Sequence, residues 1–236
     1  MPRERVEATP NKARIVAGAF AVITLLNQNT IGGSESTAAP LQRSHILGEV
    51  VVPQVNADRQ ETKLMPRLNI PWIADGVRVL ERPIFQYASE FDVDPEMVAI
   101  LMHIESLGQP DATSHAGARG AMQVMPQTGA LIAEWVGNTK YHPDQLYDPE
   151  INIRYGAAYM NFLTPIATST GPLETTELLK RIAIGYNGGP TRLKEYLEFG
   201  DAALVSREET REYAEAAQRF YRGRYELAQP PDPRLG

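Results

Sequence analysis

The stretch from Asp94 to Pro126, DPEMVAILMHIESLGQPDATSHAGARGAMQVMP, limits what this chain can become more than any other. Asp94 is a good helix N-cap, and Pro95 takes the first helical position, where its missing N–H costs nothing. Gly108 stands where such a helix should stop. Val98, Leu101 and Glu105 recur at helical spacing, with Met97 and Ile104 alongside, so a carboxylic acid falls on the stripe that should face the core. It also falls in the last turn. Burial and the negative end of the helix dipole both disfavour an ionised carboxylate there. A glutamate so placed can stay a proton donor near neutral pH. Spacing alone leaves the bland case open, in which Glu105 sits at the stripe edge with its head in water.

The remaining periodicity is helical from about Ile70 onward. A first helix is expected from Trp72 and Ile73 to about Arg82. Pro83 opens a second, with Ile84, Tyr87, Ala88 and Phe91 on one face. After the Asp94–Leu107 helix, another should run from Pro126 to Gly137. Asp148–Pro149 repeats the cap-plus-proline signal for a helix to about Leu163, with Thr164–Pro165 as its stop. A helix from about Thr176 to Tyr186 should end at Asn187-Gly188-Gly189-Pro190. A short helix follows to Phe199, and Glu208 to about Leu227 makes the last. The class is all-α, with no credible sheet.

The N-terminal third reads differently. Arg3, Arg5, Lys12 and Arg14 precede an apolar run from Ile15 to Leu26, and Asn27, Gln28 and Asn29 end it. That is the charged start and apolar middle of an export signal. The run is shorter than the roughly 20 residues that span a bilayer. No small-x-small cleavage site follows directly, so an uncleaved membrane anchor over residues 15–31 remains open, as does a plain N-terminal core helix. Residues 1–33 are therefore read as signal peptide or anchor, and 34–70 as a largely disordered linker. Residues 71–228 form the folded domain and 229–236 an irregular tail.

Composition closes several function classes. A net charge of −6 argues against nucleic acid as a partner. Cysteine is absent, which removes disulfides, a thiolate nucleophile and Cys-based metal sites. His45, His103, His115 and His142 form no ligand-like cluster, so neither metal nor cofactor is expected.

Four motifs occur in order: Glu105-Ser106; Ser114 followed by Gly117-Ala118-Arg119-Gly120-Ala121-Met122-Gln123-Val124-Met125-Pro126; Tyr186-Asn187-Gly188-Gly189; and Glu209-Thr210-Arg211-Glu212-Tyr213. Together they resemble the soluble lytic transglycosylase family, whose fold is similar to goose lysozyme, over roughly residues 72 to 225. The resemblance implies a lysozyme-like multi-helix domain with a substrate groove. It implies peptidoglycan glycan strands as the partner, and the N-terminal signal-like segment gives an exported location as the expectation.

The same resemblance implies roles. Glu105 matches the catalytic acid. Ser114 matches a serine near the scissile sugar. Met122 and Gln123 match a pair lining the saccharide groove, the thioether against a sugar face and the amide on its polar groups. Tyr186 matches a tyrosine whose hydroxyl bonds the catalytic carboxylate, and Asn187 supports that corner. Gly117 and Gly120 would let the loop backbone approach substrate. Each residue also has a bland reading: Met122 and Met125 as core methionines, Gln123 as a loop residue, Tyr186 as a core aromatic, Ser114 as a turn cap. Glu209 and Tyr213 are expected in capping and packing first, and in the groove second. The chain departs from the family at Ala121, Gly185 and Ala214. It departs also at Gly108, where an aromatic is usual and its loss should open a cavity or alter a groove wall.

Most glycosidases place two carboxylates across the bond. No second acid stands at a convincing position here; Asp111 and Asp148 are candidates, and Asp148 is better explained as a cap. The resemblance implies one-acid cleavage of the bond between N-acetylmuramic acid and N-acetylglucosamine, ending in a 1,6-anhydro sugar. The alternatives are a lysozyme-type muramidase using water and a non-catalytic wall-binding or assembly module.

Overall fold

The computed structural model describes residues 66–225. The expected signal or anchor segment, the linker as far as residue 65 and the irregular tail lie outside the described residues. Leu68 and Ile70, at the end of the expected linker, are buried in the core.

Seven helices make up the described residues: α1 Asp75–Arg78, α2 Glu81–Glu90, α3 Pro95–Ser106, α4 Pro126–Trp135, α5 Pro149–Ala167, α6 Thr175–Phe199 and α7 Glu208–Arg222. Short 3-10 turns at Pro143–Tyr147 and Gly200–Leu204 link the later ones. The only β-type pairing among the described residues is a pair of isolated bridges, Thr113 with Arg119 and Arg119 with Val124. Among the same residues, no helix is long and apolar enough to cross a membrane.

α3 lies at the centre. Every residue from Met97 to His103 is buried, so the helix is enclosed all round, and its apolar stripe extends to the full circumference. Asp94 caps it, its carboxylate accepting from Glu96 N at 2.8 Å. α7 packs on both α3 and α6, while α5 packs on α2 and α6. The amphipathic face of α7 supplies Tyr213, Ala214, Ala217, Phe220 and Tyr221 to the core. Ile84, Tyr87 and Ala88 of α2 are buried as their spacing predicts.

Some boundaries differ from the sequence reading. The expected first helix to Arg82 is instead the single turn α1 and a fresh start at Glu81. The Arg78 guanidinium donates to Ile70 O and Pro71 O and folds the entering strand of chain back on that turn. Pro83 then falls within the first turn of α2, where a ring needs no hydrogen. Pro165 does not stop α5, which reaches Ala167. It lies in the final turn, so only one late carbonyl loses its partner. Thr164 and Thr168 hydroxyls donate to Met160 O and Thr164 O there. Thr175–Phe199 runs as one helical segment with a break at Gly189 (φ 83°, ψ 165°), the place where the Gly-Gly-Pro stop is expected.

Gly108 explains itself structurally. It follows Leu107, which turns the chain at φ 59°, and has φ 80° itself. A Cβ there would overlap the backbone of Gly76 and Val77 in α1. The backbone of α1 thus occupies the space that a side chain at 108 would enter first.

Candidate active site around Glu105

Glu105 is the penultimate residue of α3 and keeps part of its surface open to solvent. Its Oε1 accepts a hydrogen bond from the Tyr213 hydroxyl at 2.7 Å. Tyr213 belongs to α7 and is only 2% exposed, so a rigid, buried phenol holds the acid from behind. Desolvation pushes the Glu105 carboxyl up to about 8. The Tyr213 bond opposes that rise because it favours the carboxylate, and the charge of Glu209 adds to it. Most of Glu105 is therefore neutral at pH 7.

Ser106 ties the acid's helix end to the loop that follows. Its hydroxyl donates to Ala121 O at 2.7 Å and accepts from Gly108 N and Gln109 N at 3.1 and 2.9 Å. The loop is itself braced by α5. Asn152, fully buried, accepts from Met122 N at 2.6 Å and donates to Arg119 O and Leu146 O, both at 2.8 Å. Gly120 (φ 75°) lies against the Asn152 side chain and Leu146 O, where any Cβ would collide. Its lack of a side chain serves this internal contact.

The expected site residues gather in this region, with several roles changed. Tyr186 lies near Glu105 but donates to Met122 O at 2.9 Å, and the carboxyl partner is Tyr213. Burial and the Glu105 charge push both phenols well above their ordinary value, which keeps them neutral donors. Met122 is fully buried, so its thioether cannot lie against a sugar face; it packs beside Gly156. Met125 is also buried, at 8% exposure. The Gln123 amide turns inward, donating to Ala112 O and Gly120 O at 3.2 and 2.8 Å, with its backbone in the left-handed region at φ 48°. Ser114 closes a turn: its Oγ accepts from Ala118 N at 3.0 Å. Asn187 accepts from the Thr210 hydroxyl at 2.8 Å, joining the break in α6 to α7.

Sequence reasoning ranked Tyr213 too low and missed Asn152. Tyr213 was visible only as the last letter of a motif, on a helix whose charge pattern spoke first for packing. For Asn152 a signal existed, a lone amide between Ile151 and Ile153 at the start of α5. Its partners are carbonyls and amides of distant segments, which no local pattern names. Asp148 is the α5 cap, accepting from Glu150 N at 2.9 Å, and Asp111 is exposed. Among the described residues no three His, Asp or Glu converge as a metal site.

The chain's residues 82–202 match the Transglycosylase SLT domain. Membrane-bound lytic murein transglycosylase E of Buchnera aphidicola is 33% identical over 78 residues, covering 32% of this chain and 35% of that protein. An inactive mutant of lytic transglycosylase Slt from Pseudomonas aeruginosa superposes with a TM-score of 0.50 at 24% identity, covering 64% of this chain and 25% of that one. A complex of the 70-kDa soluble lytic transglycosylase with bulgecin A gives 0.50 at 25% identity, covering 63% and 25%. The chain thus spans about a third of the length of the sequence relative and a quarter of each solved structure.

Proposed function

The chain belongs to the Transglycosylase SLT domain family, and from that premise we propose that it is a peptidoglycan lytic transglycosylase with Glu105 as its single catalytic acid. One observation carries the reading. A solvent-reachable carboxyl is held by a buried phenol at 2.7 Å and stays protonated through neutrality.

The chemistry follows from one group acting twice. Neutral Glu105 gives its proton to the glycosidic oxygen as the bond from C1 of N-acetylmuramic acid breaks. The substrate's N-acetyl group shields the cationic C1. Glu105, now a carboxylate, takes the proton of the muramoyl C6 hydroxyl as that oxygen bonds to C1. The proton account closes without water, and the product is a 1,6-anhydro end. Tyr213 serves as a positioning residue, stabilising the carboxylate of the intermediate stage by the same bond that orients the acid. Ser114 and the Gln123 turn belong to the loop that Ser106 ties to the acid's helix. Tyr186 and Asn187 act one step back, Tyr186 by fixing the Met122 carbonyl and Asn187 by docking α7.

An exported location, with the segment around residues 15–31 as signal or anchor, fits the basic flank and apolar run at the N-terminus. The relative from Buchnera is described as membrane-bound.

Digestion of purified sacculi followed by mass spectrometry tests the activity. The expected fragments end in sugars one water lighter than hydrolysed ends. Full-mass reducing ends would make the protein a muramidase. No fragments, with retained binding to sacculi, would make it a wall-binding module.

A further inference from the structure

The segment that enters the domain, residues 68–78, lies before the stretch that matches the family model and has no part in the chemistry above. It is nonetheless well seated. Leu68, Ile70, Trp72, Ile73 and Val77 are buried, and the Arg78 guanidinium holds Ile70 O and Pro71 O. It meets the helix of the acid at two points. The ring Nδ1 of His103 accepts from Ala74 N at 3.2 Å, at the start of α1. Next to it, Gly76 lies so close to the turn after α3 that a Cβ on it would come within 2.4 Å of Leu107 O.

His103 belongs to both points. Its own carbonyl accepts from Leu107 N at 3.1 Å, the bond that closes the last turn of α3 around Glu105. Its ring stands edge-on to Trp72 and Phe220, with centroids 5.4 and 5.8 Å away, which fixes the direction of Nδ1. Burying an imidazole costs free energy that a leucine of similar volume would not. What the ring adds is an acceptor for a backbone N–H at the start of α1, which has no side-chain cap. The turn it backs needs support. Leu107 and Gly108 both have positive φ, 59° and 80°, and a leucine holds that conformation only where its surroundings impose it. On an α-helix, side chains at 103 and 105 point about 200° apart. His103 thus faces away from the acid and acts on it through the helix end.

Resting on the transglycosylase reading, we infer that His103 is a positioning residue for Glu105. It anchors residues 68–78 as a strap behind α3, and the strap's backbone at Gly76 braces the Leu107–Gly108 turn so that the acid keeps its place against Tyr213.

The test compares the full-length wild type with three variants. H103L keeps the volume and removes the acceptor. H103N places an amide oxygen where Nδ1 stood. G76A lifts the strap from its other side. R224A is the control, since Arg224 donates to Glu96 at the opposite end of α3. On solubilised glycan strands, at a temperature where all are folded, H103L and G76A should lose about fivefold or more in kcat with KM unchanged. H103N should recover most of the rate, and R224A should keep it. The H103L/G76A double variant should lose no more than the worse single one, because both act on one contact. Hydrogen exchange reads the brace without substrate: the Leu107 amide should exchange faster in H103L and G76A and return toward wild type in H103N. Wild-type kcat in H103L, or a rate in H103N as low as in H103L, overturns the positioning role. Should H103L fail to fold, wild-type kcat in G76A overturns it. If the wild type releases no anhydro ends, the transglycosylase reading fails, and the Leu107 amide alone decides whether the strap braces the turn.

Discussion

Glu105 carries two opposing consequences of one burial. The environment that holds its pKa near 8 also withdraws stability from the fold at neutral pH. Its folded pKa lies above the unfolded value of 4.5. The protonated acid's contribution is therefore complete below pH 4.5 and is lost as pH rises to about 8. E105Q removes the titration while keeping an oxygen for the Tyr213 hydroxyl. It should abolish cleavage and stabilise the protein at pH 7, by at most about 3 kcal/mol. The gain should vanish at pH 4, as read by denaturant unfolding at both pH values. Tyr213 acts in the other direction. Y213F removes a bond that favours the carboxylate, so the alkaline limb of the pH–activity profile should move upward. The maximal rate should fall about tenfold or more, because the acid loses its orientation and the carboxylate left after proton transfer loses a stabilising donor. A limb that moved downward would contradict this account of the hydrogen bond.

At the scale of elements, the loop after α3 is held more by α5 than by its own residues. Asn152 satisfies one amide and two carbonyls from two segments, the loop and the turn before α5. N152A strands those buried groups and should cost about 3 kcal/mol. It should also speed hydrogen exchange at the Met122 amide and lower the rate of glycan cleavage. This contact shows where sequence reading stops. The helix of the acid was legible because Asp94, Pro95 and Gly108 are local signals, and the break at Gly189 was legible for the same reason. The end of α5 was misjudged because a proline in a last turn leaves few hydrogen bonds to lose. Met122 and Tyr186 were placed in the right neighbourhood with the wrong partners. Which side of a loop faces inward is settled by distant residues such as Asn152 and Gly156, not by the loop's own pattern.

Across the whole described molecule, the acid and its tyrosine belong to helices that meet at both ends. Near Glu105 the junction is the Tyr213 bond. At the other end, Tyr221 donates to Asp94, and Arg224 and Tyr225 both donate to Glu96, at 2.6 and 2.8 Å. The Arg224 guanidinium also lies over the Tyr221 ring, 3.7 Å from its centroid. This far clamp is half-buried, so it is screened less than a surface pair. R224A should lower stability by about 1–2 kcal/mol, a loss that thermal unfolding would register. The reaction should survive it, because the Tyr213 junction is independently packed. In the proposed mechanism this architecture keeps a single carboxyl dry enough to hold a proton and open enough to deliver it. The most direct measurement is the titration of that carboxyl, followed by carbon NMR of glutamate-labelled protein with E105Q assigning the signal. The account predicts a midpoint near 8. A midpoint at the ordinary glutamate value of 4.5 would contradict it.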